Sequence, residues 1–240
     1  TRGRRYRVMM QQLVLDIGLP TGPVLGNYLA GPNAAALRHL ELWLGHAAPA
    51  LGAVARSPVP TYLWGPSGSG KSHLLKALRE GLRGQGARVG WLDASVLEPP
   101  PFDESWAAVL MDDVHLYTAE QQHTAFTWFV QAQSIQRPVV AAGEWAPADL
   151  KLREDLRTRL GWGHIFALQV LSEPERRAVL RRAADARGVF LGDEVMDFML
   201  NRFSRDLGSL MELLDLLDAY AMRTQRAITI PLIKSMMDNA

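Results

Sequence analysis

Eight consecutive residues carry the strongest chemical signal in the chain. They match the phosphate-binding pattern GxxxxGK[ST], called the P-loop, at every fixed position and read Gly65-Pro66-Ser67-Gly68-Ser69-Gly70-Lys71-Ser72. Glycines let the backbone curl around a phosphate with its N–H groups pointing inward, the lysine reaches the β- and γ-phosphates, and the hydroxyl binds Mg²⁺. The pattern predicts a site for ATP or ADP with Mg²⁺, and we assign His73, which follows directly, to the same site. As a loop lysine, Lys71 is expected to face solvent.

Two adjacent acids provide the second chemical signal. Asp112 and Asp113 follow an apolar run over residues 106–111, which is typical of a buried parallel strand. The carboxyl end of such a strand is where an α/β sheet binds its ligand. We expect Asp112 to hold Mg²⁺, directly or through water, and Asp113 to orient or deprotonate an attacking water. Two acids can also simply terminate a strand, and the catalytic interpretation depends on the P-loop upstream.

The elements around these residues alternate between strand and helix. The apolar run 61–64 predicts a strand entering the P-loop, and a helix follows it up to a turn over residues 81–86. Further strands are predicted over 87–93, 106–111 and 137–143, with Glu144 at the tip of the last one. Helices are predicted over 33–51 and 121–133. The alternation predicts an α/β fold with a mostly parallel sheet.

The rest of the chain, from Leu171 onward, is expected to be helical. Ser172-Glu173-Pro174-Glu175 forms a capping box with proline tolerated in the first turn, and it opens a helix that runs through Ala186. Further helices are predicted over 193–203, from Arg205 and from Pro231. The third carries an apolar stripe that should belong to a core: Leu207, Leu210, Leu214, Leu217 and Ala221. We therefore divide the chain into a tail (1–24), an α/β domain (25–170) and a small all-helical domain (171–240).

Composition limits the possible partners and locations. The formal charge of +1 gives no global attraction to nucleic acid, and the absence of cysteine removes disulfides and thiol chemistry. The six histidines show no metal-ligand spacing. No apolar run approaches a membrane span and no signal peptide is recognised, so we expect a cytoplasmic protein without a membrane partner. The first residue is not Met, and the native start is expected at Met9 or Met10.

Residues 12–17 alternate polar and apolar side chains ahead of a Gly/Pro-rich stretch. A segment of this kind near a terminus is suited to docking in the groove of another protein. An edge strand or a disordered tail remains an alternative.

Several motifs together resemble those of a known family. The P-loop, the Asp pair, residues 137–147 and residues 156–163 are similar to the AAA+ core of the DnaA family of bacterial replication initiators, and the most specific motif is Arg159-Leu160-Gly161-Trp162-Gly163. With residues 12–17 in front, the chain resembles the Hda-type regulatory inactivators of that family, from about Gln12 to the C-terminus. The resemblance implies an AAA+ P-loop NTPase core followed by a helical lid.

The resemblance also implies roles for single residues. Glu144 takes the sensor-1 position, where the family usually has Asp, and Arg159 takes that of an arginine finger, which acts in trans on a neighbour's γ-phosphate. A surface arginine on a charged helix is the alternative for Arg159. Arg205 matches sensor 2, and Asn27 and Tyr28 match the segment beside the adenine.

The tail resembles the hexapeptide with which such inactivators dock on the β sliding clamp of DNA polymerase III. The matching residues are Gln12, Leu13, Leu15 and Ile17, although Asp16 and Ile17 depart from the consensus. The chain stops at Ala240, before any helix-turn-helix domain of ~100 residues, so origin binding is not expected.

The resemblance therefore implies a regulator, with ADP as activating ligand, that reaches DNA indirectly through the clamp and stimulates hydrolysis of DnaA-bound ATP. We expect a homo-oligomer. One alternative is an autonomous oligomeric AAA+ ATPase, such as a loader or remodeller. Another is a DNA-binding adaptor, which would show a steeply salt-dependent affinity for duplex DNA.

Overall fold

Five parallel strands form the sheet of the computed structural model, which describes residues 23–45, 57–202, 207–224 and 226–238. Their spatial order is β2-β3-β4-β1-β5, and every neighbouring pair is parallel. The strands are β1 (Thr61–Trp64), β2 (Arg88–Leu92), β3 (Trp106–Met111), β4 (Val139–Gly143) and β5 (His164–Ala167). Since β1, β3 and β4 are central and buried on both faces, they consist almost entirely of apolar residues. This confirms the expected α/β fold with a parallel sheet.

Helices cover both faces of the sheet. One face packs against α1 (Ala34–Leu44) and α2 (Lys71–Gly84), and the other packs against α3 (Ala119–Ser134) and α4 (Glu154–Leu160). In α2 the apolar residues recur at helical spacing, so that Leu74, Leu78 and Leu82 are fully buried. Burial of each such leucine contributes about 1.5–3 kcal/mol to stability. The helices on the two faces of the sheet hold the loops at the carboxyl ends of the strands in place.

Four further helices enclose a separate hydrophobic core. They are α5 (Glu173–Ala186), α6 (Asp193–Arg202), α7 (Leu207–Thr224) and α8 (Ile230–Asp238). Their core contains Met196, Met199 and Ile233, together with Leu210, Leu214 and Leu217 of the predicted stripe. Those three leucines are buried as expected. Within the described residues, no helix combines the length and the apolar character that crossing a membrane requires.

Two helix boundaries differ from the sequence prediction. The turn expected from Gly81 begins later, because α2 continues to Gly84 and the chain turns at Gly86, whose φ is 76°. Gly81 lies within the helix, and its lack of a side chain leaves room for Leu44 of α1: a Cβ there would lie 2.5 Å from Leu44 Cδ2. Helix α1 ends at Leu44, where Gly45 adopts the left-handed conformation of a C-terminal cap. The predicted continuation to residue 51 falls outside the described residues.

Strand β5 was not predicted from the sequence. Its four residues are half-buried or exposed, so they show neither a long apolar run nor a clean alternation. The backbone of Gly163 approaches the start of β1 so closely that a Cβ would collide with the Pro60 carbonyl oxygen. The next residue, His164, donates its N–H to the same oxygen at 2.8 Å. Gly163 therefore sets the position at which β5 joins the sheet.

Candidate functional site

The P-loop connects β1 to α2 and is shaped by two glycines. Gly65 passes so close to the carbonyl oxygen of Leu168 that a side chain would collide with it. Gly70 has a φ of 90°, and a Cβ on it would lie 2.6 Å from Tyr28 Cε2. Helix α2 begins at the next residue, Lys71, so the positive end of its dipole faces the space inside the loop. This is the geometry in which proteins bind phosphate.

Lys71 is buried, with 6% of its surface exposed, so the expectation that it faces solvent is wrong. Its Nζ donates to the carbonyl oxygens of Gly65 at 2.7 Å and Pro66 at 2.9 Å. Burial lowers the pKa of Lys71, while the nearby charges of Asp113, Asp112 and Glu144 oppose that shift. The lysine is at the first position of a helix rather than in the loop, and its side chain folds back under the loop. The ammonium group is thus held next to the space where phosphates would bind.

The Asp pair lies at the carboxyl end of β3. Asp112 is buried, and its N–H donates to the Leu92 carbonyl oxygen at 2.8 Å. Burial raises the pKa of Asp112 to about 6, although a hydrogen bond from Ser72 lowers it, and the charge of Asp113 raises it further. Asp113 adopts the left-handed conformation with φ 49° and ψ 43°. Residues held in such backbone conformations cluster at functional sites.

The donors near Ser72 fit Mg²⁺ better than a structural metal. The contact between the Ser72 hydroxyl and the Asp112 carboxylate places two oxygen donors together. In the part of the chain that the structure describes, no group of three or more His, Asp or Glu side chains could enclose a metal. Mg²⁺ typically takes one or two protein oxygens and completes its shell with phosphate and water, so these two donors suit it.

Glu144 follows β4 and is held by a histidine that the sequence analysis did not single out. The backbone N–H of Glu144 donates to His115 Nδ1 at 3.3 Å, and Glu144 Oε2 lies 3.5 Å from His115 Nε2. Because Nδ1 accepts, the neutral ring must carry its proton on Nε2 and can donate it to the carboxylate. The two residues are 29 positions apart. The only sequence signal for His115 is that it closely follows Asp112 and Asp113.

These residues surround one cavity of about 1250 Å³, large enough for a nucleotide. The cavity brings together the predicted residues Asn27, Tyr28, Asp113 and Glu144 with the P-loop from Ser67 to His73. On its other side lie residues of α5 and α7, which the sequence analysis did not assign to the site: Val179, Arg182, Ala183, Arg187 and Met211. The cavity therefore lies between the α/β core and the helical core.

The segment predicted to contact adenine is tied to the P-loop by hydrogen bonds. Tyr28 donates its hydroxyl to the Ser69 carbonyl oxygen at 3.2 Å, and His73 Nε2 lies 3.0 Å from Asn27 Oδ1. Asn33, which the sequence analysis did not assign, is buried and donates to the Tyr28 hydroxyl at 3.0 Å. It also pairs with the backbone of Gln169, as both donor and acceptor. Asn33 thereby connects the segment to the chain leading into α5.

Arg159 lies away from this cavity. It lines an open groove of about 990 Å³ with Phe126, Arg153, Asp155 and Trp162, and this groove shares no residue with the nucleotide-sized cavity. Trp162 is 69% exposed there. Arg205 and the tail residues Gln12, Leu13, Leu15 and Ile17 lie outside the described residues, so their predicted roles have no structural counterpart here.

Comparison with known protein sequences gives two matches. Residues 173–237 match the family model described as the Hda lid domain. The chain is 32% identical over 189 residues to an uncharacterized protein of Haemophilus influenzae, an alignment that spans 74% of this chain and 80% of the relative.

Solved structures with the same fold include two replication initiators and a motor protein. Domain III of the Thermotoga maritima replication initiation protein DnaA superimposes with a TM-score of 0.69 at 18% identity, over 90% of this chain and 95% of that one. DnaA from Aquifex aeolicus bound to AMPPCP superimposes with a TM-score of 0.62 at 22% identity, over 84% of this chain and 66% of that one. The Thermotoga maritima RuvB Holliday junction branch migration motor superimposes with a TM-score of 0.61 at 18% identity, over 91% of this chain and 72% of that one. Similarity at these identities demonstrates the fold alone, which is that of an AAA+ core with a helical lid.

Proposed function

The chain belongs to the DnaA-related AAA+ family with an Hda-type lid, and from this premise we propose that it is a nucleotide-bound regulator of replication initiation. In this proposal it docks on the DNA-loaded β sliding clamp through Gln12, Leu13, Leu15 and Ile17. It then presents Arg159 to DnaA and stimulates hydrolysis of the ATP that DnaA holds. The result would be less DnaA-ATP and no premature re-initiation.

Nucleotide binding is supported by the P-loop cavity. Its lysine is buried beside the phosphate position, and Ser72 and Asp112 supply the oxygen donors that Mg²⁺ requires. When bound, Mg²⁺ would neutralise charge on the phosphates. One structural neighbour, DnaA from Aquifex aeolicus, is described as bound to AMPPCP, an ATP analogue. We propose ADP as the resident nucleotide, because a regulator that acts on a partner's ATP has no need to hydrolyse its own.

The observation that carries the proposal is the position of Arg159. Its side chain lines a groove that shares no residue with the cavity around Lys71. An arginine that stabilised charge on the chain's own nucleotide would have to line that cavity. A finger that acts on another subunit must instead be accessible on a different face, and the open groove provides that access. We propose that the same geometry supports a homo-oligomer, in which one subunit offers Arg159 to the next.

A second candidate function is that of an autonomous ATPase. It is favoured by Asp113 and Glu144, two acids that line the same cavity as Lys71 and are suited to orienting a water molecule. Under this alternative the chain would turn over ATP without DnaA.

Turnover separates the two functions. The measurement is phosphate release from ATP by the purified chain alone, by DnaA alone, and by both together with clamp loaded on DNA. A regulator gives little release alone and a large increase only in the complete mixture. Steady turnover by the chain alone, unchanged when DnaA is added, would favour the autonomous ATPase and contradict the proposal.

A further inference from the structure

Arg159 is held by aromatic rings rather than by an acid. Its Cζ lies 5.2 Å from the centroid of the Phe126 ring and 5.9 Å from that of Phe129. A guanidinium group within about 6 Å of a ring centroid is attracted to the ring face. Across the described ranges of the chain, Arg159 forms no ion pair. Its charge is therefore oriented but not neutralised.

Phe126 is the more exposed of the two rings. Phe129 is fully buried, whereas Phe126 is half-buried and lines the groove. The Phe126 ring also lies 5.6 Å from Arg153 Cζ, so two guanidinium groups share it. Arg153 is itself paired with Asp155, Nη2 to Oδ2 at 2.7 Å. The other oxygen, Asp155 Oδ1, accepts from the Leu156 N–H at 2.8 Å, so both oxygens of this carboxylate already have a donor other than Arg159.

We propose that Phe126 is a positioning residue for Arg159. The proposal rests on the function proposed above, in which Arg159 acts on the nucleotide of DnaA. A flexible arginine side chain loses rotamer freedom when it contacts a phosphate. An arginine that is already stacked on a ring has lost part of this freedom before the phosphate binds, so binding costs less entropy. An acidic partner would orient the side chain equally well, but its ion pair would have to break before the phosphate could bind. A ring orients the guanidinium and leaves its charge available.

The positional part of the proposal can be tested on the chain alone, without DnaA. The measurement is the ¹⁵N–¹H resonance of Arg159 Nε, assigned by its loss in Arg159→Lys. In the wild type we expect a ring-current displacement from the position of solvated arginines. Phe126→Leu, which keeps apolar volume but removes the ring, should take away much of this displacement, while Phe126→Tyr should keep it. Val130→Ala, on the same helix but not lining the groove, is the control.

A wild-type resonance at the position of solvated arginines would overturn the proposal, whether or not Phe126→Leu folds. An unchanged resonance in a folded Phe126→Leu variant would overturn it as well.

The functional part requires hydrolysis of DnaA-bound ATP in a single turnover with clamp on DNA. We expect Phe126→Leu to lower the rate at saturating chain concentration by about three- to thirtyfold, the size of a cation–π contact converted to a rate ratio. The concentration that gives half the effect should stay unchanged, because docking is intact. Phe126→Tyr should restore the rate, a rescue that would not accompany a general loss of packing.

The outcomes distinguish this inference from the function on which it rests. If Arg159→Ala abolishes stimulation but Phe126→Leu leaves the saturating rate intact, the positioning role is wrong and the proposed function stands. If Arg159→Ala stimulates fully, the proposed function fails and the functional role of Phe126 fails with it.

Discussion

Lys71 Nζ donates to two carbonyl oxygens of its own loop, Gly65 O and Pro66 O. The sequence identifies this residue through the P-loop pattern, but it does not reveal the burial, because burial depends on how α2 begins beneath the loop. The same limit applies to His115 and Glu144. Each is visible in the sequence, yet the contact between them joins two loops that only the sheet brings together. Residue types and spacing thus predict the chemistry of the site, whereas the contacts that orient each group follow from the fold.

Lys71→Ala should abolish most of the nucleotide affinity. The change removes the cation beside the phosphate position, and we expect a loss of affinity of about ten- to 150-fold, since a charge-assisted contact contributes about 1.5–3 kcal/mol. Isothermal titration calorimetry with ADP and Mg²⁺ measures this loss of affinity. Lys76→Ala, an exposed lysine on the same helix, is the matched control and should bind nearly as wild type does. Unchanged affinity in Lys71→Ala would contradict the assignment of the P-loop.

Asp112→Asn should stabilise the chain in the absence of nucleotide and Mg²⁺. Burial raises the pKa of Asp112 to about 6 in the folded state, against about 3.9 in the unfolded chain. Between these values the folded state keeps a proton that the unfolded state has released, so the contribution of Asp112 to stability falls as pH rises from about 4 to 6. Asparagine cannot ionise and avoids this cost. At pH 7.5 we expect a gain of about 1–3 kcal/mol in the free energy of unfolding.

Urea unfolding at pH 4.5 and 7.5 measures the effect of Asp112→Asn. Asp103→Asn is the control, because its pKa is shifted in the opposite direction: hydrogen bonds from Ser105 and the charge of Arg88 lower the pKa of Asp103. That carboxylate favours folding above its unfolded pKa, so its removal should not stabilise the chain at pH 7.5. If Asp112→Asn is no more stable than wild type at pH 7.5, the burial cost assigned to Asp112 is wrong.

At the scale of elements, strands with a clear apolar pattern are predictable, and β5, which lacks such a pattern, is not. Strands β1, β3 and β4 are central, so their sequences are continuous apolar runs, and each was expected near its observed position. Strand β5 is an edge strand of four half-buried or exposed residues, which leaves no periodic signal. The end of α2 was misplaced because glycine usually marks a turn, whereas Gly81 serves a close contact with Leu44. Such contacts between distant elements are not encoded in local spacing.

Gly163→Ala should weaken the pairing of β5 with β1. The added Cβ would collide with the Pro60 carbonyl oxygen, which is backbone and cannot rotate away. Forcing the strands apart should cost about 1–3 kcal/mol, the usual range for overpacking. Gly84→Ala is the control, since nothing lies within 4 Å of its Cβ position and the residue is helical. Urea unfolding should show a loss for Gly163→Ala and no loss for Gly84→Ala; equal stabilities would contradict the role given to Gly163.

At the scale of the whole molecule, the three proposed interactions use different residues of the chain. The nucleotide cavity lies between the α/β core and the helical core, and the Arg159 groove is formed by α3, α4 and the residues on either side of α4. The segment proposed to dock on the clamp lies outside the described residues. The overall plan of α/β core followed by helical lid was predictable because each part has its own strong patterns. The distance of Arg159 from the chain's own nucleotide site was implied only by family resemblance.

Clamp docking can be tested by itself, because the residues proposed to dock are different from those that line the nucleotide cavity. Replacement of Gln12, Leu13 and Leu15 by alanine should abolish association with the β sliding clamp and leave ADP affinity unchanged, because an extended docking peptide gains its specificity from alternate side chains in pockets. Size-exclusion chromatography with purified clamp measures the first effect, and titration calorimetry measures the second. Co-elution equal to that of wild type would assign docking to another part of the chain.

Loss of Arg159 tests the central claim most directly. The measurement is the ATP remaining on DnaA over time, with clamp loaded on DNA, for wild type, Arg159→Ala, Arg159→Lys and the control Arg157→Ala, which changes a neighbouring arginine outside the groove. We expect Arg159→Ala to reduce stimulated hydrolysis by on the order of 10³. Lysine should not restore it, since the planar fork of the guanidinium is lost. Arg157→Ala should stay active, and all variants should bind ADP as wild type does. Full stimulation by Arg159→Ala would contradict the proposed function.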